Sequence, residues 1–394
     1  MPSNQPAAES DRVREVALLV ETDSSWGRSV TRGVADYARR FGPWNLLIEN
    51  WGYSQRWSLP DRWQGDGMIA RISTPLQLAR LRQRKLPVVN VDDLFENLTD
   101  VGAVLTNEAE RAGLALDHLR GKGFRHFGYF APPSQEYSKR CGQEFVAAVK
   151  QAGFECQVYK PGYRSGRHIN RGEEQHRVKR WLDHSPRPLA VLAVDAPRGR
   201  QLAEICRLEG IRVPDEVAIL AGNGDELLCD VCTPPLSSIT VASQRIGYEA
   251  AALLDRLMEG KSAPKRPIRV SPLGVISRQS TDMLAIDDQL IVRALRFIQT
   301  HAFRGIVVDD VLADVPVSRR YLEREFNRYF GRPPAEEIRR IRLDRGKELV
   351  THSDLSIEEV ATACGYSGAT QFGVAFRKRF GQTPLAYRRH VMKR

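Results

Sequence analysis

SIEEVATACGYSGATQFGVAFRKRFGQTP, residues 356–384, sets two helix signatures around a glycine turn. Ser356 followed three residues later by Glu359 is a capping box, in which each side chain satisfies a backbone N–H that the helix start leaves open. Ile357, Val360 and Ala361 then recur on one face at the helical period, and Gly365 permits the left-handed backbone of a tight turn. Past the turn, Phe372, Phe376 and Phe380 stand four apart and predict a buried stripe. That leaves Thr370, Gly373, Val374 and Arg377 facing outward, with Lys378 and Arg379 beside them.

Working upstream, VDDVLADVPVSRRYLEREFNRYFG (residues 308–331) repeats the arrangement. Val308, Val311 and Leu312 supply an apolar face, Val315 and Pro316 a turn, and Ser318 a cap for the second helix. Leu322 and Phe326 face inward, so Arg319, Arg320, Glu323, Arg324 and Asn327 occupy the opposite side. Arginines at the start of such a helix suit guanine edges and phosphates in a major groove. One amphipathic pair with a basic face is an ordinary solvated hairpin; two, joined by a long helix at 334–350, favour double-stranded DNA as partner. The candidate DNA-binding residues are Ser318, Arg319, Arg320, Glu323, Arg324, Asn327, Thr370, Gln371, Val374, Arg377 and Lys378. The remaining helices of this all-α part are expected at 288–300, 308–314, 318–329, 356–363 and 368–380.

The charge agrees. From Asp287 to Arg394 there are 20 basic and 14 acidic residues, a net +6, whereas the preceding 286 residues share the other +5 of the total +11. The carboxy-terminal part is therefore about three times as basic per residue, the footprint of a polyanion partner. A length of 394 residues implies two or three domains, and 42% hydrophobic content supplies their cores.

Ahead of this part, short apolar runs alternate with amphipathic helices: VALLV (16–20), GMIARI (67–72), PVVNV (87–91), HFGYF (126–130), LAVLAVD (189–195) and EVAILAG (216–222). Runs without strict alternation suit parallel strands buried on both faces, and the alternation with helices predicts a doubly wound α/β fold. Two such repeats, with a seam near Leu116–Gly123, make two lobes facing a cleft. A long helix, SQRIGYEAAALLDRLMEG, and closing strands in PIRVSPLGVISRQST end the region. Ligands of open α/β sheets sit beyond the carboxyl ends of the strands. The candidate ligand-binding residues there are Asp23, Trp26, Arg71, Asp92, Tyr137, Arg140, Asp195, Asn223 and Asp225, with Thr22 and Asp93 nearby. Carboxylates and guanidiniums bind vicinal hydroxyls, and Trp26 or Tyr137 offers a ring for the apolar face of a small polyol.

Catalysis has no support: there is no GxGxxG after the first strand, no P-loop, no GxSxG and no HExxH. No catalytic residue, cofactor or metal is assigned. Cys229 and Cys232 form a CxxC with no second ligand pair, and all six cysteines read as reduced thiols. MPSNQPAAESDR lacks the apolar core of an export signal, so a cytoplasmic protein without a membrane span is expected.

GYSGATQFGVAFRKRFGQTPLAYRR resembles the signature of the AraC/XylS transcription regulators, through Gly365-Tyr366, Phe372, Phe376, Gly381, Thr383, Pro384, Tyr387 and Arg388. The resemblance implies a seven-helix domain whose two reading helices enter successive major grooves. ETDSSWGRSVTRGVADYARRFGPW, GDGMIARI, PVVNVDD, KGFRHFGYF, VPDEVAILAGNGDELL, TPPLSSI and RIGYEAAALLDRLM extend the likeness to the xylose-responsive operon activators. These join a LacI/GalR-like, periplasmic-binding-protein-like two-lobe α/β domain to an all-α domain with two helix-turn-helix motifs. Implied with it are a homodimer, an operator or promoter as DNA target, RNA polymerase as partner and a xylose-like sugar as inducer. Such sensors place Asp where this chain has Asn223, Arg where it has Cys141, and Asn-Asp where it has Asp195-Ala196. The domains expected are a disordered tail (1–12), a sensor (13–280), a linker (281–288) and a DNA-binding domain (289–394).

Overall fold

A computed structural model describes residues 12–48, 59–60, 62–92, 101–131, 136–160, 171–286 and 288–392. Residues 1–11 of the expected tail, Asp93 and the side chain of Tyr137 lie outside the described residues. In chain order the elements are β1 (Arg14–Leu19), α1 (Ser25–Phe41), β2 (Trp44–Ile48), β3 (Gly67–Ala70), α2 (Pro75–Gln83), β4 (Val88–Asn90), β5 (Gly102–Thr106) and α3 (Glu108–Gly121). Next come β6 (His126–Phe130), α4 (Glu136–Gln151), β7 (Cys156–Val158), α5 (Arg171–Asp183), β8 (Leu189–Ala193), α6 (Ala196–Leu208), β9 (Val217–Ala221) and α7 (Glu226–Asp230). Then follow β10 (Ser237–Thr240), α8 (Ser243–Met258), β11 (Ile268–Val270) and β12 (Gly274–Ile276). The helical remainder is α9 (Gln289–His301), α10 (Val308–Asp314), α11 (Arg319–Phe330), α12 (Pro334–His352), α13 (Ile357–Ala363), α14 (Ala369–Phe380) and α15 (Pro384–Met392).

The chain forms two compact units, one reaching to His118 and resuming over His126–Asp282, the other made of Leu119–Arg125 and Met283–Arg394. In the first unit lie two sheets, ordered β11-β5-β4-β3-β1-β2 and β12-β10-β9-β8-β6-β7. Every pairing is parallel except that of β10 with β12. Strands β3, β8 and β9 are buried along their whole length. Burial on both faces is why their sequences run apolar without alternating.

Helix α8 packs on the first sheet although it follows a strand of the second: its Ile246, Ala250, Leu253 and Leu254 share a core with Val16, Leu18, Ile69 and Val104. The closing strands part in the same way. β11 pairs with β5 of the first sheet and β12 with β10 of the second, so the chain passes between the lobes three times. The seam expected near Leu116–Gly123 marks the first of these passages.

In the second unit two hydrophobic cores lie along one helix. Ile338 of α12 belongs to the core of α9, α10 and α11, built on Ile291, Leu295, Val311, Leu322, Phe326 and Phe330. Leu343 and Val350 of the same helix belong to the core of α13 and α14, with Val360, Phe372 and Phe376. Among the described residues no helix is long and apolar enough to cross a membrane.

Candidate ligand cleft and nucleic-acid interface

A cavity of about 190 Å³ opens in the first unit, lined by loops that follow the carboxyl ends of strands in both sheets. Glu21 follows β1, Arg71 follows β3, Asp92 follows β4, and Glu108 and Arg111 begin α3 after β5; Asp195 and Asn223–Asp225 follow β8 and β9. The volume lies below the roughly 300–1,000 Å³ of drug-sized sites and suits an occupant of about the size of a monosaccharide.

Buried ionic groups hold the walls. Arg71 pairs with both Glu21 and Asp92. Arg111, buried, pairs with Glu108 three residues earlier, and its Nη1 donates to the Gly222 carbonyl at 3.4 Å, which ties the start of α3 to the loop after β9. Asn90, fully buried, fixes the neighbouring loops: its Oδ1 accepts from Ile72 N at 3.2 Å and from Asp92 N at 3.1 Å, and its Nδ2 donates to Asp92 O at 2.6 Å. Asp195 and Asp225 cap α6 and α7, accepting from Arg198 N at 2.9 Å and Leu228 N at 3.1 Å. Two carboxylate oxygens are left over: Glu21 Oε2 and Asp92 Oδ1 are buried with no hydrogen-bond partner among the described residues. Burial pushes the Glu21 carboxyl above its ordinary value, with Arg71 opposing. The lining side chains total five carboxylates and two guanidiniums, so the cleft favours a ligand that donates hydrogen bonds and disfavours an anion.

Of the residues expected to bind ligand, Trp26, Arg71, Asp92, Asp195, Asn223 and Asp225 line this cavity. Asp23 does not: it is exposed, and its backbone carbonyl accepts from Arg28 Nη1 at 2.8 Å. Arg140 is also absent from the lining. The Arg71 guanidinium lies 5.3 Å from the Trp26 ring centroid, a cation–π contact on one face of the ring. Cys141 is buried among Arg111, Glu108 and Tyr129, and desolvation pushes its thiol up to about 11. An arginine is thus present beside Cys141, supplied by α3. Glu21, Glu108 and Arg111 are lining residues that sequence reasoning missed. Their one signal is position: Glu21 ends the VALLVE run, while the strand ahead of Glu108, GAVLT, went unread.

The second unit carries the two helix pairs. Ser318 caps α11 by accepting from Tyr321 N at 3.2 Å, and Ser356 and Glu359 form the expected capping box on α13. Gly365 has φ +75°, and a Cβ there would lie 2.9 Å from Ala302 O. Glycine is therefore required at this turn both for its conformation and for the close approach. Phe372 and Phe376 are fully buried, while Phe380 packs at the margin of the same core.

On α11, Arg319 pairs with Asp309, and Arg324 pairs with the buried Glu325 while its guanidinium sits 5.1 Å from the Tyr321 ring centroid. Arg320 and Asn327 are exposed, and Arg320 makes no ion pair among the described residues. On α14, Thr370, Gln371, Val374, Arg377 and Lys378 are exposed, Val374 to 69%. Gly368 offers no side chain to cap α14; Glu358 of α13 does so instead, its Oε2 accepting from Ala369 N at 3.1 Å.

Comparisons with known proteins agree with this division. A XylR N-terminal domain matches residues 15–106, a periplasmic binding protein-like domain 116–281, and a helix-turn-helix domain 312–390. Fold and sites together define a DNA-binding transcription regulator in which a binding-protein-like sensor domain is joined to an AraC-type double helix-turn-helix domain. Within that class the chain is XylR-like. It is 29% identical to the xylose operon regulatory protein of Escherichia coli K12 over 95% of its own length and 96% of the relative's. A solved structure of the xylose-binding transcription activator xylR matches at TM-score 0.62 with 29% identity, over 96% of this chain and 98% of that one. The transcription regulator CcpA of Lactococcus lactis shares the fold of the sensor, at TM-score 0.54 and 16% identity over 69% of this chain and 100% of its own.

Proposed function

We propose that the protein is a cytoplasmic, homodimeric regulator that binds a neutral monosaccharide of the pentose type and, on binding it, recruits RNA polymerase to sugar-catabolism promoters. The observation that carries the ligand class is the cleft itself: about 190 Å³, with an excess of carboxylates and two buried, unpartnered acceptor oxygens on Glu21 and Asp92. Hydroxyl groups supply the donors those oxygens need, and an unpaired buried acceptor costs about 1–3 kcal/mol until one does. The naming of the curated relatives for xylose supports a pentose within that class.

A thermal-shift screen of pentoses, hexoses and sugar phosphates tests the reading. A neutral pentose should raise the melting temperature in a concentration-dependent way, and its 5-phosphate should not. A flat response to every sugar, or preference for the phosphate, would refute the proposed ligand. In this reading SRRYLERE (318–325) chooses the sequence and GATQFGVAFRKRF (368–380) chiefly anchors the backbone: on duplexes selected from a random pool by the wild-type protein, Arg320→Ala should lose the preference for the selected duplex, while Lys378→Ala should weaken selected and random duplexes alike. Sedimentation of the full chain, free and on a selected duplex, decides the dimer.

A further inference from the structure

A groove of about 980 Å³ runs along the second unit between α12 and the outward face of α14. One wall is Thr370, Gln371, Val374 and Lys378, side chains of the helix assigned to the second major groove. A duplex engaged by those residues must lay an adjoining stretch of its sugar-phosphate backbone against the opposite wall, which is α12. From α12 the groove receives Glu336, Arg339, Arg340 and Leu343, spaced so that they share one helical face.

The cations in the groove are not equivalent. Arg340 is held by Glu337 at 2.6 Å and by Asp344 at 2.8 Å, and Arg379 by Asp344 at 3.0 Å. Arg339 and Lys378 are exposed and make no ion pair among the described residues. The two acidic side chains lining the groove stand at helix starts: Glu336 lies in the first turn of α12 and Glu358 caps α14. The positive ends of those helices offset part of their charge, and the lining still carries four cations against two carboxylates.

We infer that Arg339, on the connecting helix and outside both helix-turn-helix pairs, is a phosphate-binding residue that clamps the backbone beside the second reading helix, with Lys378 facing it across the groove. The inference rests on the DNA-binding reading of the second unit. It makes α12 a contact surface as well as a spacer. Arg339 anchors without reading sequence, because a phosphate is the same beside every base.

The test uses the full chain with Arg339→Ala, Arg339→Lys and wild type. Binding is measured to a random-sequence 30-base-pair duplex and to a duplex selected from a random pool by wild type, at several salt concentrations. Arg339→Ala should weaken both duplexes by the same factor and lower the slope of log affinity against log salt by about 0.9, one phosphate's worth. Arg339→Lys should restore the slope. An unchanged slope, or a loss confined to the selected duplex, overturns the inference: the first removes the phosphate contact, the second makes Arg339 a base reader. Should wild type bind neither duplex, the DNA-binding reading itself fails. A far-ultraviolet dichroism melt of the exposed-site variants should overlay wild type.

Discussion

Glu21 shows how a single burial sets a testable chemistry. Its carboxyl is pushed up by desolvation, and its Oε2 has no partner among the described residues. Ionised, it accepts from a ligand hydroxyl; protonated, it loses one acceptor. Sugar affinity is therefore expected to hold above the raised pKa and to fall as pH drops through it, and Glu21→Gln should flatten that profile in a calorimetric titration. Stability runs the other way: a carboxyl raised in the folded state binds its proton more tightly there, so its penalty is present above the raised pKa and disappears as pH falls. In the second unit, Arg320→Ala should cost about 1–3 kcal/mol on a selected duplex and relax the base preference at one position, measured by competition with single-base variants. Arg324 is tied to Glu325 and lies on Tyr321, so Arg324→Ala should also disturb α11 itself. At this scale the sequence reading reached Arg71, Asp92, Asp195, Asn223 and Asp225 because each follows an apolar run that is visibly a strand. Glu108 and Arg111 escaped it because GAVLT has only Val104 and Leu105 as large apolar residues to announce β5, and because an arginine in a helix reads as solvated until burial is known.

Helix against helix, two features carry the architecture. Helices α1 and α8 cross at paired glycines: a Cβ on Gly33 would lie 1.8 Å from Gln244 O, and one on Gly247 would lie 2.0 Å from Val30 O. Gly247→Ala must push the helices apart and should lower stability by about 1–3 kcal/mol in chemical unfolding, with the strain falling on the sensor unit. On α12, Glu337 is fully buried and bound by Arg332 and Arg340; Arg340 continues to Asp344, and Asp344 to Arg379 of α14. Burial pushes the Glu337 carboxyl up, but the two guanidiniums outweigh it and hold it below the ordinary glutamate value. Its contribution is therefore present above that ordinary value and lost as pH falls through the lowered one. Glu337→Gln takes the buried carboxylate away from Arg332 and leaves Arg340 with Asp344, and should destabilise the helical unit by about 3–5 kcal/mol, read by thermal unfolding. The helices of this unit were legible because capping residues, turn glycines and four-residue aromatic spacing are all local. The glycine crossing was not: its partners are more than two hundred residues apart in the chain.

For the molecule as a whole, α12 is the spacer. Its 19 residues span about 28 Å at 1.5 Å per residue, and the cores of both helix pairs are built along it, Ile338 in that of α11 and Leu343 and Val350 in that of α14. If sugar and DNA binding are coupled, the coupling is reciprocal: saturating sugar should change the affinity for a selected duplex, and the bound duplex should change the affinity for sugar by the same factor. Unequal factors in paired titrations would mean that a further equilibrium, such as dimer assembly, intervenes. The sequence by itself determined the strand and helix alternation, the two helix-turn-helix pairs and the uneven charge, because period, capping and composition act within a few residues of each other. The tertiary structure alone decided which sheet receives α8, β11 and β12, that Arg111 lies beside Cys141, that Arg71 lies over one face of the Trp26 ring, and which arginines already have a carboxylate. Those outcomes depend on burial and on partners distant in the chain, and no local pattern encodes either. The stretch at 356–384 shows both sides: its capping box and phenylalanine stripe were written in its own residues, while the groove it forms with Arg339 exists only once α12 is packed against it.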